Sequence, residues 1–387
     1  MCNIITIEMK IAYLFFYYAQ KAGTERILID KMNLLADNGY DVVALSYEQE
    51  LYPFAFPLSE KVQRIDLNIC FSSLYRYNYF MRIIMAIAMR FKLIKKLFFF
   101  VANHHPDLIV CTAYASFEIA ALSIICSFFS IPFIVESHSI YTNSYSADLL
   151  SLILHRQRLL NRCQLSRVSR VVSLTEGDAL EWKKVVDNVE VIPNMVGQNL
   201  DNKYSDCSQK RIVFVGRFAE QKGLPYLLDI WKIVHSQKPD WQLHMYGDGP
   251  LKKWFVKEID GLAIGIHVHD PESDIMKVYR DSSVLMLTSV YEPFGLVIPE
   301  AMGCGIPVVS FDCPYGPRDI ITDGVDGFLI PPYDVQMFAD RLCTLMDDEA
   351  LRKKMGTNGT VSIQRYSSDR ILPLWLNLFN QVAKEKE

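Results

Sequence analysis

Apolar positions along this chain fall into two alternating patterns. Short unbroken apolar runs, closed by small or polar residues, read as strands of a parallel sheet buried on both faces. Lys10-Ile-Ala-Tyr-Leu-Phe-Phe-Tyr17, Asp41-Val-Val-Ala-Leu45, Asp107-Leu-Ile-Val-Cys111, Pro132-Phe-Ile-Val-Glu-Ser-His138, Arg170-Val-Val-Ser-Leu-Thr175 and Val189-Glu-Val-Ile-Pro-Asn194 are of this kind. Between them stand helical patterns, such as 24–38, ended by Gly39, and a run of small and apolar residues through about 129. The alternation resumes at Arg211-Ile-Val-Phe-Val215 with a helix over 224–236, then strands at Leu243, Ile266, Val284–Thr288 and Ile306–Val309. Strands alternating with helices predict βαβ units, and the opening is of the doubly wound kind. The fold class is therefore α/β. From 335 the chain reads as helical, and Pro373 should start or kink the last helix. A polar run, 197–210, has the composition of a hinge. The expected layout is a first domain over 1–196, a linker over 197–210, a second domain over 211–364 and a terminal helix over 365–387.

Composition sharpens this outline. At 387 residues, half of them hydrophobic, the chain is long enough for two cored domains, and a net charge of −4 gives no reason to expect nucleic acid. The nine cysteines form no Cys-x-x-Cys pair and no metal-ligand spacing, which points to reduced thiols and a cytoplasmic setting. Residues 1–9 lack the order of a signal peptide, and no uncharged apolar run of 18 residues predicts a membrane span.

Residues 67–106 stand apart. Arg76, Arg82, Arg90, Lys92, Lys95 and Lys96 are interleaved with Tyr75, Tyr77, Tyr79, Phe80, Ile83, Ile84, Phe91 and Phe98 to Phe100, and the stretch has no acidic residue. Such a segment, centred on 74–101, can lie in an anionic membrane interface. It can equally be a core helix with a basic solvent face, and apolar periodicity does not separate the two. Arg156, Arg158, Arg162, Arg167 and Arg170 read as one solvated face of a helix over 155–170.

The chemistry concentrates in 289–309. Glu292 and Glu300 flank a Pro-Phe-Gly turn that leads into a short helix ended by Gly303 and Gly305. A carboxylate there can accept from vicinal hydroxyls, and the helix start at Phe294, Gly295 and Leu296 favours a phosphate. One segment thus suits both ends of a nucleotide-sugar. In the second domain's opening, Gly216 allows a tight exit from the strand, and Arg217 and Lys222 flank the loop. A planar guanidinium and a mobile ammonium can together neutralise a diphosphate. His138 lies just beyond a strand end, where open α/β sheets place ligand contacts. His267 and His269 stand at i, i+2, but with no third ligand they do not make a metal site.

The block from Glu292 through Glu300-Ala-Met-Gly-Cys-Gly-Ile-Pro-Val-Val309 to Asp323-Gly-Val-Asp-Gly-Phe-Leu-Ile330 resembles the Glu-x7-Glu region of retaining, family 4 type glycosyltransferases. That resemblance implies the GT-B fold, two Rossmann-like doubly wound domains facing across a cleft, the first binding the acceptor and the second the nucleotide-sugar. It implies that Glu292 holds the donor sugar's hydroxyls, Glu300 the ribose, Arg217 and Lys222 the diphosphate, and His138 the donor sugar. The first loop, Gln20-Lys-Ala-Gly-Thr-Glu-Arg26, resembles the family's Gly-Gly-x-Glu-Arg, with Ala22 in place of the first glycine and Gly23 left as the close-approach position. Gly247-Asp-Gly-Pro250 reads as a structural turn at the cleft rim. Phe311-Asp-Cys-Pro-Tyr-Gly-Pro-Arg-Asp-Ile320 looks like a feature of transferases that build bacterial surface polysaccharides.

The implied reaction moves a hexosyl group from a UDP- or GDP-sugar, with retention and without metal or cofactor, to a glycan or undecaprenyl-linked acceptor, on the inner face of the membrane. Two other readings are a nucleotide-sugar epimerase or phosphorylase on the same fold, and a non-catalytic partner subunit. The intact Arg217, Lys222, Glu292 and Glu300 set weighs against both.

Overall fold

A computed structural model describes residues 9–112, 116–141, 165, 167–196 and 203–385. Arg156, Arg158, Arg162 and the linker positions 197–202 lie outside them. The chain divides into two compact units: one holds the sequence to Ser173, Ala179–Ile192 and the residues from Leu374 on, the other Leu174–Asp178 and Pro193–Pro373.

In the first unit seven strands form one sheet: β1 Lys10–Leu14, β2 Asp41–Ser46, β3 Gln63–Asp66, β4 Leu108–Cys111, β5 Phe133–Glu136, β6 Arg170–Ser173 and β7 Val189–Val191. Their order is β3-β2-β1-β4-β5-β6-β7, with every pairing parallel. Every residue of β4 and β5 is buried, β4 as an unbroken apolar run and β5 with Glu136 at its end. The chain turns back between β1 and β4, so the carboxyl ends of these two strands flank a topological switch point.

Helix Gly23–Asp37 buries Ile27, Leu28, Met32 and Leu35, and with them Lys31. Helix Tyr79–His104 is one uninterrupted 26-residue element. The Asn78 side chain caps it by accepting from Met81 N at 3.0 Å, and His105, at φ 46°, ends it in the left-handed conformation. Its buried residues are Leu93, Leu97, Phe100 and Val101.

The second unit repeats the arrangement with β8 Arg211–Val215, β9 Gln242–Tyr246, β10 Ile266–His269, β11 Val284–Leu287, β12 Val308–Phe311 and β13 Gly327–Ile330. The order β10-β9-β8-β11-β12-β13 is again parallel throughout. Helix Leu224–Gln237 packs Leu224, Leu227, Ile230, Trp231 and Val234 into a core shared with Phe214, Met245, Val284 and Phe338. Each such side chain removed from water contributes about 2 kcal/mol. The last helix runs Ser368–Lys384, with Pro373 inside it rather than at its start.

Candidate functional site

The polar groups of the second unit converge at its switch point, beyond the carboxyl ends of β8 and β11. Gly216 leaves β8, with its N–H donating to Tyr246 O at 3.0 Å, and a short 3₁₀ turn at Glu220–Lys222 follows. A Cβ on Gly216 would lie 3.1 Å from Lys222 Cε, so glycine leaves room for the lysine stem. Gly223 sits at φ 59°, where a Cβ would fall 2.1 Å from Thr288 O. Only glycine lets the two loops touch there. Thr288 Oγ1 donates to Lys222 O at 2.9 Å, Val290 N to Gln221 O at 2.8 Å and Gln221 Nε2 to Tyr291 O at 3.0 Å.

These bonds fix Lys222 against Glu292. Lys222 Nζ lies 2.5 Å from Glu292 Oε1, which also accepts from Ser289 Oγ at 2.6 Å. Both side chains are buried. The Glu292 backbone is held as well: its N–H donates to Pro314 O, and its carbonyl accepts from the amides of Tyr315 and Gly316. Gly295, at φ 86°, packs against Glu292, since a Cβ there would lie 3.6 Å from that residue's Cβ.

Phe294 is buried, its ring edge-on to Tyr366 at 5.4 Å, so only its backbone is available to a ligand. Helix Val297–Gly303 follows, and the amides just ahead of it are those a helix start leaves to outside partners. Glu300 stands on this helix and accepts from Tyr279 OH at 3.2 Å. Arg217 is exposed on the β8 loop and makes no ion pair among the described residues. The structure thus joins Gly216, Lys222, Glu292 and Gly295 by direct contact, and places Arg217, Leu296 and Glu300 on the adjoining loop and helix.

Gly247-Asp-Gly-Pro250 has a structural explanation. A Cβ on Gly247 would fall 2.0 Å from Gly216 O, and one on Gly249 would fall 2.5 Å from Phe218 O. The two glycines let the β9 exit loop lie against the β8 exit loop.

His267 and His269 acquire a neighbour that sequence spacing hides. His244, on β9, stacks on both, and its Nδ1 lies 3.0 Å from His269 Nε2. Burial, then Arg211 and the other two rings, pulls His244 down to about 3, so it is a neutral ring in a stack. Among the described residues no cluster of three His, Cys, Asp or Glu could hold a metal ion.

In the first unit His138 lies just past β5, but its ring is turned inward. The side chain is 3% exposed, with Nε2 3.0 Å from Glu136 Oε1. The same carboxylate oxygen accepts from Lys31 Nζ, and the Lys31 ammonium lies 3.7 Å from the centre of the Trp375 ring. Burial alone would raise the Glu136 carboxyl, but Lys31 and then His138 outweigh it and hold the group at about 2. Gly23 begins its helix, exposed, behind an extended Ala22.

Sequence reading missed Ser289, Tyr279, Lys31 and Glu136 as members of these networks. Lys31 carried a signal, a cation at a core-facing position beside Ile27, Leu28 and Leu35. Ser289 carried none beyond its nearness to Glu292.

Two doubly wound parallel sheets in tandem, with the polar site of the second at its switch point, define a glycosyltransferase of the GT-B fold. Residues 22–198 match the family model described as Glycosyltransferase Family 4 and residues 199–361 the one described as Glycosyl transferases group 1, and the chain belongs to the family 4 type glycosyltransferases. It is similar to the amylovoran biosynthesis glycosyltransferase AmsD of Erwinia amylovora, 28% identical over 94% of this chain and 97% of the relative. Solved structures with the same fold include sucrose-phosphate synthase from Thermosynechococcus elongatus, with a TM-score of 0.76 and 19% identity over 97% and 99% of the two chains. Another is HepE from Anabaena in complex with UDP and glucose, with a TM-score of 0.72 and 20% identity over 96% and 99%.

Proposed function

We propose that this glycosyltransferase moves a hexosyl group from a UDP- or GDP-sugar to a glycan or undecaprenyl-linked acceptor during bacterial surface polysaccharide synthesis, with retention and without a metal. The observation that carries the reading is the buried Lys222–Glu292 pair at the switch point, framed by Gly216 and Gly295. Without donor, ammonium and carboxylate satisfy each other. A bound nucleotide-sugar offers each a better partner: the diphosphate takes Lys222 and Arg217, and the sugar hydroxyls take Glu292. Charge building on the leaving diphosphate is then met by Lys222, Arg217 and the amides at Phe294, Gly295 and Leu296. Glu300 receives the ribose hydroxyls, and in the first unit the same reading gives Gly23 a close backbone approach; a donor-sugar contact for His138 requires its ring to leave Glu136 and turn outward. With cations in place for the diphosphate, no divalent ion is needed to neutralise it. AmsD's role in amylovoran biosynthesis and the UDP and glucose bound to HepE support the substrate class.

The test is donor binding and hydrolysis across UDP-, GDP- and ADP-sugars, with and without chelator, on wild type, Lys222→Ala and Glu292→Ala. Selective use of one donor, abolished in both variants and indifferent to chelator, is the expected result. The anomeric configuration of the product, read by NMR, tests retention. Failure to bind any donor, or binding indifferent to both substitutions, overturns the site assignment.

A further inference from the structure

Helix Tyr79–His104 buries side chains only toward one end, although Met89 packs against the core and Arg90 lies over the Phe117 ring. All four of its buried residues, Leu93, Leu97, Phe100 and Val101, lie in the C-terminal half. The other half, Tyr79–Phe91, has no buried residue, although Arg82 and Arg90 are its only charged side chains. Phe80, Ile84, Ile87 and Phe91 follow one another at helical spacing and form an exposed stripe, with Phe80 72% and Phe91 68% exposed. Ile124 and Phe128 are also exposed on the neighbouring helix, Ser116–Phe129, where the Phe128 ring centre lies 5.5 Å from that of Phe98. An apolar stripe of this size on a water-soluble face marks a docking surface.

We infer that this half-helix docks the protein on an anionic lipid surface. Charge selects that occupant. Arg76, Arg82, Arg90, Lys92, Lys95 and Lys96 belong to a segment with no acidic residue between 67 and 106. Lys96 donates to Leu67 O, and Asp66 alone adds an acid to the groove that Lys92, Lys95 and Lys96 line. On the neighbouring helix, Glu118 is buried and accepts from Tyr47 OH. A second copy of the same face would bring these cations against their own kind, whereas anionic headgroups neutralise them. Length selects the orientation. Thirteen apolar-rich residues span about 20 Å, short of the roughly 30 Å of a hydrocarbon core. No helix among the described residues is long and apolar enough to cross a membrane. The half-helix therefore lies in the interface, rings inward and cations at the headgroups.

The experiment is flotation of the full chain with vesicles of phosphatidylcholine alone and of an equal mixture of phosphatidylcholine and phosphatidylglycerol, at low and high salt. Wild type should float with the mixed vesicles at low salt and remain behind with phosphatidylcholine alone. The exposed double variant Phe80→Ser/Phe91→Ser and the charge reversal Lys92→Glu/Lys95→Glu should each lower the bound fraction by about tenfold. Thermal unfolding and donor hydrolysis, which involve none of these positions, should match wild type. Binding of wild type to neither vesicle, or binding indifferent to both variants, overturns the inference. So does a dimer in sedimentation that Phe80→Ser/Phe91→Ser dissociates. Because flotation needs no sugar, its outcome is independent of the donor assignment.

Discussion

Lys222 Nζ and Glu292 Oε1 stand 2.5 Å apart inside a loop pair that admits little water, with side-chain exposures of 11% and 5%. Removing one partner strands the other as a buried charge. Lys222→Ala should cost about 3 kcal/mol of stability in the second unit. Lys222→Ala/Glu292→Gln should recover much of that loss, because the remaining polar group is neutral, while transfer stays abolished. Urea midpoints and product formation on the single and double variants separate the two roles. Recovery of activity in the double variant would show that the pair is only structural.

Gly316 touches the start of the glutamate-bearing helix. A Cβ there would fall 1.9 Å from Phe294 O, a contact backbone cannot absorb without moving. Gly316→Ala should therefore displace the Phe294–Leu296 amides, cost about 1–3 kcal/mol and raise the donor KM. Gly324→Ala is the control, since nothing lies within 4 Å of the added methyl, although its φ of 73° makes it a strained position as well. A KM for Gly316→Ala equal to that of the control would refute the link to donor binding.

The Glu136 carboxyl gives the first unit an acid-sensitive contribution. Its folded value of about 2 lies below the ordinary 4.5. The charged form is thus favoured by folding, and the stabilisation is complete above about 4.5 and lost as pH falls toward 2. Unfolding of wild type should steepen across that window. Glu136→Gln should flatten the window at a lower overall stability, because Lys31 is left without its anion. Hydrogen exchange of β1 and β5 across the pH series measures it, and an unchanged slope in Glu136→Gln would be the contrary result.

Much of the second unit's fold was legible because its inner strands β8, β11 and β12 are mostly apolar, and the residues expected to act follow strand ends. Val284–Leu287 and Val308–Phe311 bury every residue, and the run itself announces this. The edge strand Gln63–Asp66 did not announce itself. Its side chains are half or fully exposed, so it carries charge where an inner strand carries valine. The pairing of His267 with His244 depends on the register of β9 against β10, which no spacing within either strand reports. Lys31 was hidden by a compensation elsewhere, since its partners Glu136 and Trp375 come from distant segments. For helix Tyr79–His104, periodicity reported an amphipathic element but not how little of it the core covers.

The last helix changes the order in which the molecule can be completed. Trp375, Leu378, Phe379 and Val382 are buried, and the residues from Leu374 on belong to the first unit, where Glu385 pairs with Arg170. On a ribosome the second unit has its whole sequence once Pro373 is made, while the unit that began to emerge first still lacks a piece of itself. The first-made half is the last to be finished. A chain stopped after Pro373 should show protected amides over 211–362 and weakened protection over 10–191, a pulse-labelling pattern opposite to the order of synthesis.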